Sequence, residues 1–449
     1  MAIIAQKQIF SWWMVETSLE LKRFGLVLSS IPDEALMQKL EAERKGRRDD
    51  YPIRCVWNSL LAGIVFNHEK ISTLRRELLR NGELREGCGF EVIKGDKAVP
   101  TASVYTGFLK KLIRNRELIE EMVDNLVEEL RRLLPGFGKR LAIDSKKLES
   151  YSVSKRDPTK SSDPDADWGV KKYSGVRKDG TLWEQVKSWF GYKLHMIVDA
   201  AYELPIAFEI TKASVHDSPR MLPMVEKLQE NHPQLLDQTE YLIADKGYDS
   251  ARNNRVLWDN YGIKPVIDNR SMWTDEPELP RRLLGDFDNI FYNEKGKVLC
   301  RYLSDKNINE AKKYAELAFE GFEKSRDCLK FRCPAKAYGI ECQNKNSCKN
   351  GADGFGRIVR VPLNFDRRIF TPLSRSSYKW KKEYKLRTAV ERVNSRIDTS
   401  FGFENHTIRG LKKMQCKVGI ALVVMLAMAV GRIKANQIEN IRSLVKKAA

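Results

Sequence analysis

The sequence predicts an α/β fold with a mixed sheet, preceded by an all-α N-terminal region and interrupted by a cysteine-containing insertion. Three observations predict it. Short apolar runs end at aspartates in LAID (141–144) and YLIAD (241–245), as buried strands of an open α/β sheet do where their carboxyl ends meet the loops. GYKLHMIVDA (191–200) and ELPIAFEIT (203–211) flank a tight turn, the pattern of a hairpin. Residues 1–135 and 376–449 carry helical periodicity instead.

In chain order, the N-terminal region (1–135) reads as amphipathic helices around 52–66, 71–80, 103–115 and 118–134. Arg75, Arg76, Arg80, Lys110, Lys111, Arg114 and Arg116 lie on them, which suits either a DNA-binding face or a solvated one. After PGFG (135–138) the first part of the α/β domain, 136–270, opens with the LAID strand. Residues 152–187 have the Pro, Ser, Asp and Gly content of a long loop. The hairpin follows, then a helix from Pro219, the YLIAD strand, a helix over 250–261 and the strand IKPVI (263–267). Over 271–375 the α/β rhythm is lost, so this segment is an insertion. The second part of the domain, 376–449, brings helices over 376–399 and 408–435, and the latter's apolar face would cover the sheet.

A chain of 449 residues with 42% hydrophobic content can bury two or three cores. Its 79 Lys and Arg against 60 Asp and Glu leave a charge of +19, which favours a polyanionic partner such as nucleic acid. The longest apolar stretch (419–430) falls short of the roughly 20 residues a bilayer span needs. The first residues lack the pattern of a signal peptide. A cytoplasmic location without a membrane partner is therefore expected. Eight cysteines in so long a chain make no disulfide scaffold.

Asp144 and Asp245 at strand ends, and Glu391 inside a basic helix, are the candidate catalytic residues. In a sheet whose first and fourth strands are neighbours, the two aspartates meet at one edge, and a helix alongside can add the third carboxylate. Oxygen ligands suit hard cations, so two Asp and one Glu can hold two Mg²⁺ ions about 3.5 to 4 Å apart for phosphoryl transfer. The alternative for Asp245 is a helix cap. In YKLRTAVERVNSRID (384–398), Tyr384, Arg387 and Glu391 share one helix face. Residues 375–400 hold eight basic and three acidic residues, a phosphate-attracting surface. An Arg387–Glu391 surface ion pair is the bland alternative.

These residues resemble the DDE transposases of bacterial insertion sequences, in the group whose catalytic helix carries a Tyr, x2, Arg, x3, Glu, x6, Lys signature. Tyr384, Arg387 and Glu391 match its first three members, whereas the lysine position holds Asp398. Further likeness lies in LAIDSKKL, GYKLH, ASVHDS, ADKGYDS and ENHTIRGLKK. The resemblance implies an RNase H-like catalytic domain interrupted between the second Asp and the Glu, with Asp144, Asp245 and Glu391 as metal-holding catalytic residues. It also implies Mg²⁺, replaceable by Mn²⁺, and Tyr384, Lys385, Arg387 and Arg392 as DNA contacts. The partner would be double-stranded DNA, the element's terminal inverted repeats and its target, bound by a homodimer. The expected activity is metal-dependent strand cleavage and strand transfer. A non-transposing RNase H-like nuclease and a catalytically inactive basic DNA-binding protein are the alternatives.

Five cysteines fall between 300 and 348. Cys328, Cys333, Cys342 and Cys348 could close a tetrahedral structural Zn²⁺ site, with free thiols as the alternative. His195 and His216 are expected in supporting, non-catalytic positions.

Overall fold

The computed structural model describes residues 18–44, 51–154, 160–177, 179–273, 279–283, 289–301, 314–339, 342, 348 and 356–442. The N-terminal residues read for a signal peptide, part of the loop expected at 152–187 and parts of the insertion lie outside these. The chain divides into two compact units, one made of Met1–Phe137, Ser145–Val215 and Ala389–Ala449, the other of Gly138–Asp144 and His216–Thr388.

The first unit joins the N-terminal helices to the C-terminal ones. Ile53–Val65, Ile71–Arg80, Ala102–Arg114 and Arg116–Leu133 form where the apolar periodicity placed them. The helix Leu411–Lys434 is long and apolar enough to cross a membrane, but most of it is buried inside the protein. It packs on Arg116–Leu133, on Leu19–Ser30 and on the strand Leu204–Lys212, so its all-round apolarity is that of a core helix.

Strands are numbered in chain order: β1 (Arg140–Glu149), β2 (Asp167–Val176), β3 (Leu182–Asp199), β4 (Leu204–Lys212), β5 (Tyr241–Ala244) and β6 (Lys264–Ile267). They form one mixed sheet in the order β2-β3-β1-β5-β6, with β4 also on β3. β1 is covalently common to both units. Its first half pairs in parallel with β5, which pairs in parallel with β6. In the first unit β2 and β4 pair antiparallel with successive halves of the 18-residue β3.

The expected loop at 152–187 therefore contains a strand, β2, and the start of β3. Apolar residues on both faces of this ribbon are exposed, Trp168, Val170, Leu182 and Val186 on one and Trp183 on the other. With no buried face, the alternation that marks a strand is lost, and only the turn-forming residues show.

The insertion lies in the second unit and is two small antiparallel sheets. One comprises β7 (Arg281–Arg282), β8 (Ile290–Tyr292), β9 (Val298–Arg301) and β10 (Tyr314–Glu316); the other comprises β11 (Ala318–Glu323), β12 (Cys328–Arg332) and β13 (Ile358–Pro362). It has a core of its own, built on Tyr292, Phe331, Val359, Ile369 and Phe370. Trp273 belongs to that core, edge-on to Tyr292 at 5.6 Å between centroids.

Candidate active site

Three neighbouring strands carry carboxylates side by side in the second unit: Asp245 and Asp268 follow the last residues of β5 and β6, whereas Asp144, expected to end its strand, lies inside β1, which runs on to Glu149. The register Ile143↔Ala244 makes Asp144 and Asp245 the next residues on adjacent parallel strands, whose spacing is about 4.8 Å. Ala244 in turn faces Ile267 across β5 and β6, and the Asp268 N–H donates to the Ala244 carbonyl at 3.4 Å. Asp268 thus extends the row. All three are half-buried.

Asp245 has a second task. Its Oδ1 accepts the Gly247 N–H at 2.8 Å and caps the short 3₁₀ turn Lys246–Tyr248. A Cβ on Gly247 would stand 2.8 Å from that oxygen and 3.5 Å from Asp217 Oδ2. A glycine is therefore required where the backbone approaches the carboxylate so closely. The Arg270 Nε–H donates to the Lys246 carbonyl at 2.7 Å. Asp249, buried, accepts from the Arg270 N–H at 2.9 Å and from Arg368 at 3.2 Å. The turn after β5 is held from both sides.

One cation lies against this row. Arg387 Nη1 is 3.7 Å from Asp144 Oδ2, with both side chains largely shielded from water. Tyr384 hydrogen-bonds Arg387 and stacks on Trp380, with centroids 4.8 Å apart and planes 11° apart. Burial pushes the Tyr384 phenol up to about 12; Asp268 and Asp245 add to the rise and Arg387 opposes it. The helix bearing Tyr384, Tyr378–Tyr384, is tied to β1 by an ion pair between Arg140 and buried Glu383 at 2.8 Å. Lys385 is exposed beside it. Asp144, Asp245, Asp268, Tyr384 and Arg387 thus lie together in the second unit. Sequence reasoning passed over Asp268, although IKPVID repeats the apolar-run-then-Asp pattern of LAID and YLIAD.

In the first unit, Glu391 lies in the first turn of the helix Thr388–Phe401 and is exposed. Arg392 donates to Glu203 Oε1 at 2.8 Å, and Arg396 and Arg442 reach the same buried carboxylate at 3.0 and 3.2 Å. Arg392 is therefore part of an arginine cluster around one acid as well as a surface cation. Asp398, where the resemblance expects a lysine, pairs with Lys146 of β1. That position carries a neutral pair. His195 is buried, with Nε2 3.0 Å from the Thr211 hydroxyl.

The strand-end row offers only oxygen donors, the chemistry that a hard divalent cation takes and a soft one does not. Among the described residues, no three His, Cys, Asp or Glu side chains are drawn together at metal-binding spacing. Cys328 lies apart from the other three cysteines named with it: it opens β12, its Sγ 3.7 Å from Glu323 Oε2.

A family model for the transposase DDE domain matches residues 135–427. The chain belongs to the DDE transposase family. A putative transposase for insertion sequence element IS402 from Burkholderia cepacia is 38% identical over 85 residues, 18% of this chain and 38% of that relative. The match thus spans well under half of the relative. The solved piggyBac transposase synaptic complex with hairpin DNA aligns with 94% of this chain and 76% of its own, at 13% identity and a TM-score of 0.37. The matched region contains the whole strand-end row, Tyr384, Arg387 and Glu391 of this transposase-family chain.

Proposed function

We propose that this chain cleaves DNA strands at the terminal inverted repeats of an insertion sequence and transfers them to a target, as a homodimer on double-stranded DNA. The observation that carries the reading is the register Ile143↔Ala244, which sets Asp144 beside Asp245 where the parallel pairing of β1 with β5 ends, with Arg387 against Asp144. The +19 charge supports a polyanionic substrate. Asp144, Asp245 and Glu391 are proposed as the catalytic carboxylates that hold Mg²⁺, for which Mn²⁺ can substitute. When bound, such ions neutralise the developing charge and activate a water or 3′-hydroxyl. The chain's own residues then bind and align the strand. Arg387, anchored by Asp144 and Tyr384, offers its remaining N–H groups to a phosphate, and a planar guanidinium suits that geometry. Lys385 and Arg392 contribute sequence-independent attraction to the backbone.

The test is a cleavage assay on terminal-repeat DNA in Mg²⁺, paired with a gel shift and a melting curve. Glu391→Gln should lose cleavage while DNA binding and melting stay close to parental, because Glu391 is exposed and the amide preserves its size. A folded variant that still cleaves at the parental rate removes Glu391 from the site. Nicking without strand-transfer products would instead favour a plain nuclease.

A further inference from the structure

We propose that Cys300, Cys333, Cys342 and Cys348 form a structural Zn²⁺ site in the insertion, with Cys300 rather than Cys328 as the fourth ligand. The spacing in sequence favours Cys328; the fold decides otherwise. Cys328 opens β12 and Cys333 follows its last residue, so five residues of extended chain separate them by about 16 Å. Two thiolates on one zinc each lie about 2.3 Å from the metal. Cys328 and Cys333 therefore cannot bind the same ion while β12 is formed. The antiparallel register Glu323↔Cys328 keeps Cys328 at the far end of that strand.

Cys300 comes to the other three through Arg357. Asn289 Nδ2 donates to Cys300 Sγ at 3.4 Å, and Asn289 Oδ1 accepts from Arg357 Nη1 at 2.8 Å. The same Nη1 is 3.9 Å from Cys348 Sγ. The Arg357 carbonyl accepts the Cys333 N–H at 2.9 Å. One residue thus contacts Cys348 by its side chain, Cys333 by its backbone and Cys300 through one asparagine. Cys333, Cys342 and Cys348 each lie close enough to Cys300 to act on it electrostatically. Beside Arg357, Gly356 has φ +78, and a Cβ there would stand 3.0 Å from Cys333 Cβ. The backbone can pass so close to Cys333 only as glycine.

Four thiols with no imidazole or carboxylate select a soft, tetrahedral ion, and zinc is the structural choice for such a set. Four thiolates and one Zn²⁺ carry a charge of about −2. The Arg357 guanidinium in contact with the group would offset part of it. The four thiols do not stand at ligand spacing, so zinc would draw them in and tie β9 of one small sheet to the end of β12 in the other.

The experiment is metal analysis of the full-length protein, expressed with zinc and dialysed, together with Co²⁺ substitution and thiol counting. About one zinc per chain is expected, with thiolate-to-cobalt charge-transfer bands, and with Cys300, Cys333, Cys342 and Cys348 becoming reactive towards a thiol reagent only when zinc is removed, while the four buried cysteines stay unreactive in the folded protein. Cys300→Ser, Cys333→Ser, Cys342→Ser and Cys348→Ser should each lose the bound metal, and Cys328→Ser should keep it. Absence of zinc and of cobalt bands in the parent, or disulfides among the four in reduced cells, overturns the site. Retention by Cys300→Ser with loss by Cys328→Ser overturns the ligand assignment. If serine variants fail to fold, cobalt titration and thiol protection in the parent still decide.

Discussion

Replacing Asp245 with asparagine separates the two tasks of this residue. The capping bond from the Gly247 N–H to Oδ1, 2.8 Å long, needs only an acceptor oxygen. Asparagine keeps that oxygen and ranks with aspartate as a cap, so stability should change by no more than about 0.5 kcal/mol. Charge is what disappears. On strands about 4.8 Å apart, Asp144 and Asp245 present two neighbouring carboxylates, and the substitution removes half of that charge while Arg387 stays on Asp144. Loss of one group preorganised for developing charge typically costs about 10²–10³ in rate, and loss of a metal ligand should cost at least that. Asp245→Ala should be as inactive and also about 1 kcal/mol less stable, because the cap is lost too. The assay is single-turnover cleavage of terminal-repeat DNA in Mg²⁺, with melting curves for both variants. A folded Asp245→Asn protein that cleaves within a few-fold of the parent would refute the catalytic role and leave only the cap.

Glu203→Gln should destabilise the protein by about 3 kcal/mol, because the buried carboxylate shared by Arg392, Arg396 and Arg442 loses its charge; chemical denaturation reads it. Asp398→Lys should cost about 2 kcal/mol by setting two ammonium groups together in a partly buried place. The charge swap Lys146→Asp with Asp398→Lys should restore most of it, and a double-mutant cycle that finds no coupling removes the pair from the account. Burial raises the Asp163 carboxyl, but hydrogen bonds from Ser150, Tyr192 and the Gly410 N–H outweigh it and hold the group below its usual range. Because the folded value is the lower one, this stability is complete above the ordinary carboxylate pKa of about 4 and lost as pH falls through the folded value. Asp163→Asn should flatten the acid limb of a melting-temperature profile.

Local pattern alone determined most of the elements. Helices such as Ile71–Arg80 and strands such as β5 formed where periodicity and apolar runs placed them, since each buries one face or both within a few residues of chain. The row of strand-end acids was legible for the same reason, and Asp268 could have been read by it. Other features depend on residues far apart in sequence. Register set Asp144 against Asp245 across about a hundred residues, and no local signal reports which strands are neighbours. The exposed ribbon of β2 and β3 has no buried face to imprint an alternation, so its polar sequence reads as loop. Spacing grouped Cys328 with Cys333, but an extended strand holds them apart. Ion pairs such as Lys146–Asp398 and Arg392–Glu203 likewise join positions 252 and 189 residues apart. A charge shows in the sequence, but its partner is chosen by packing, so only the tertiary structure could decide which acid each of these basic residues engages.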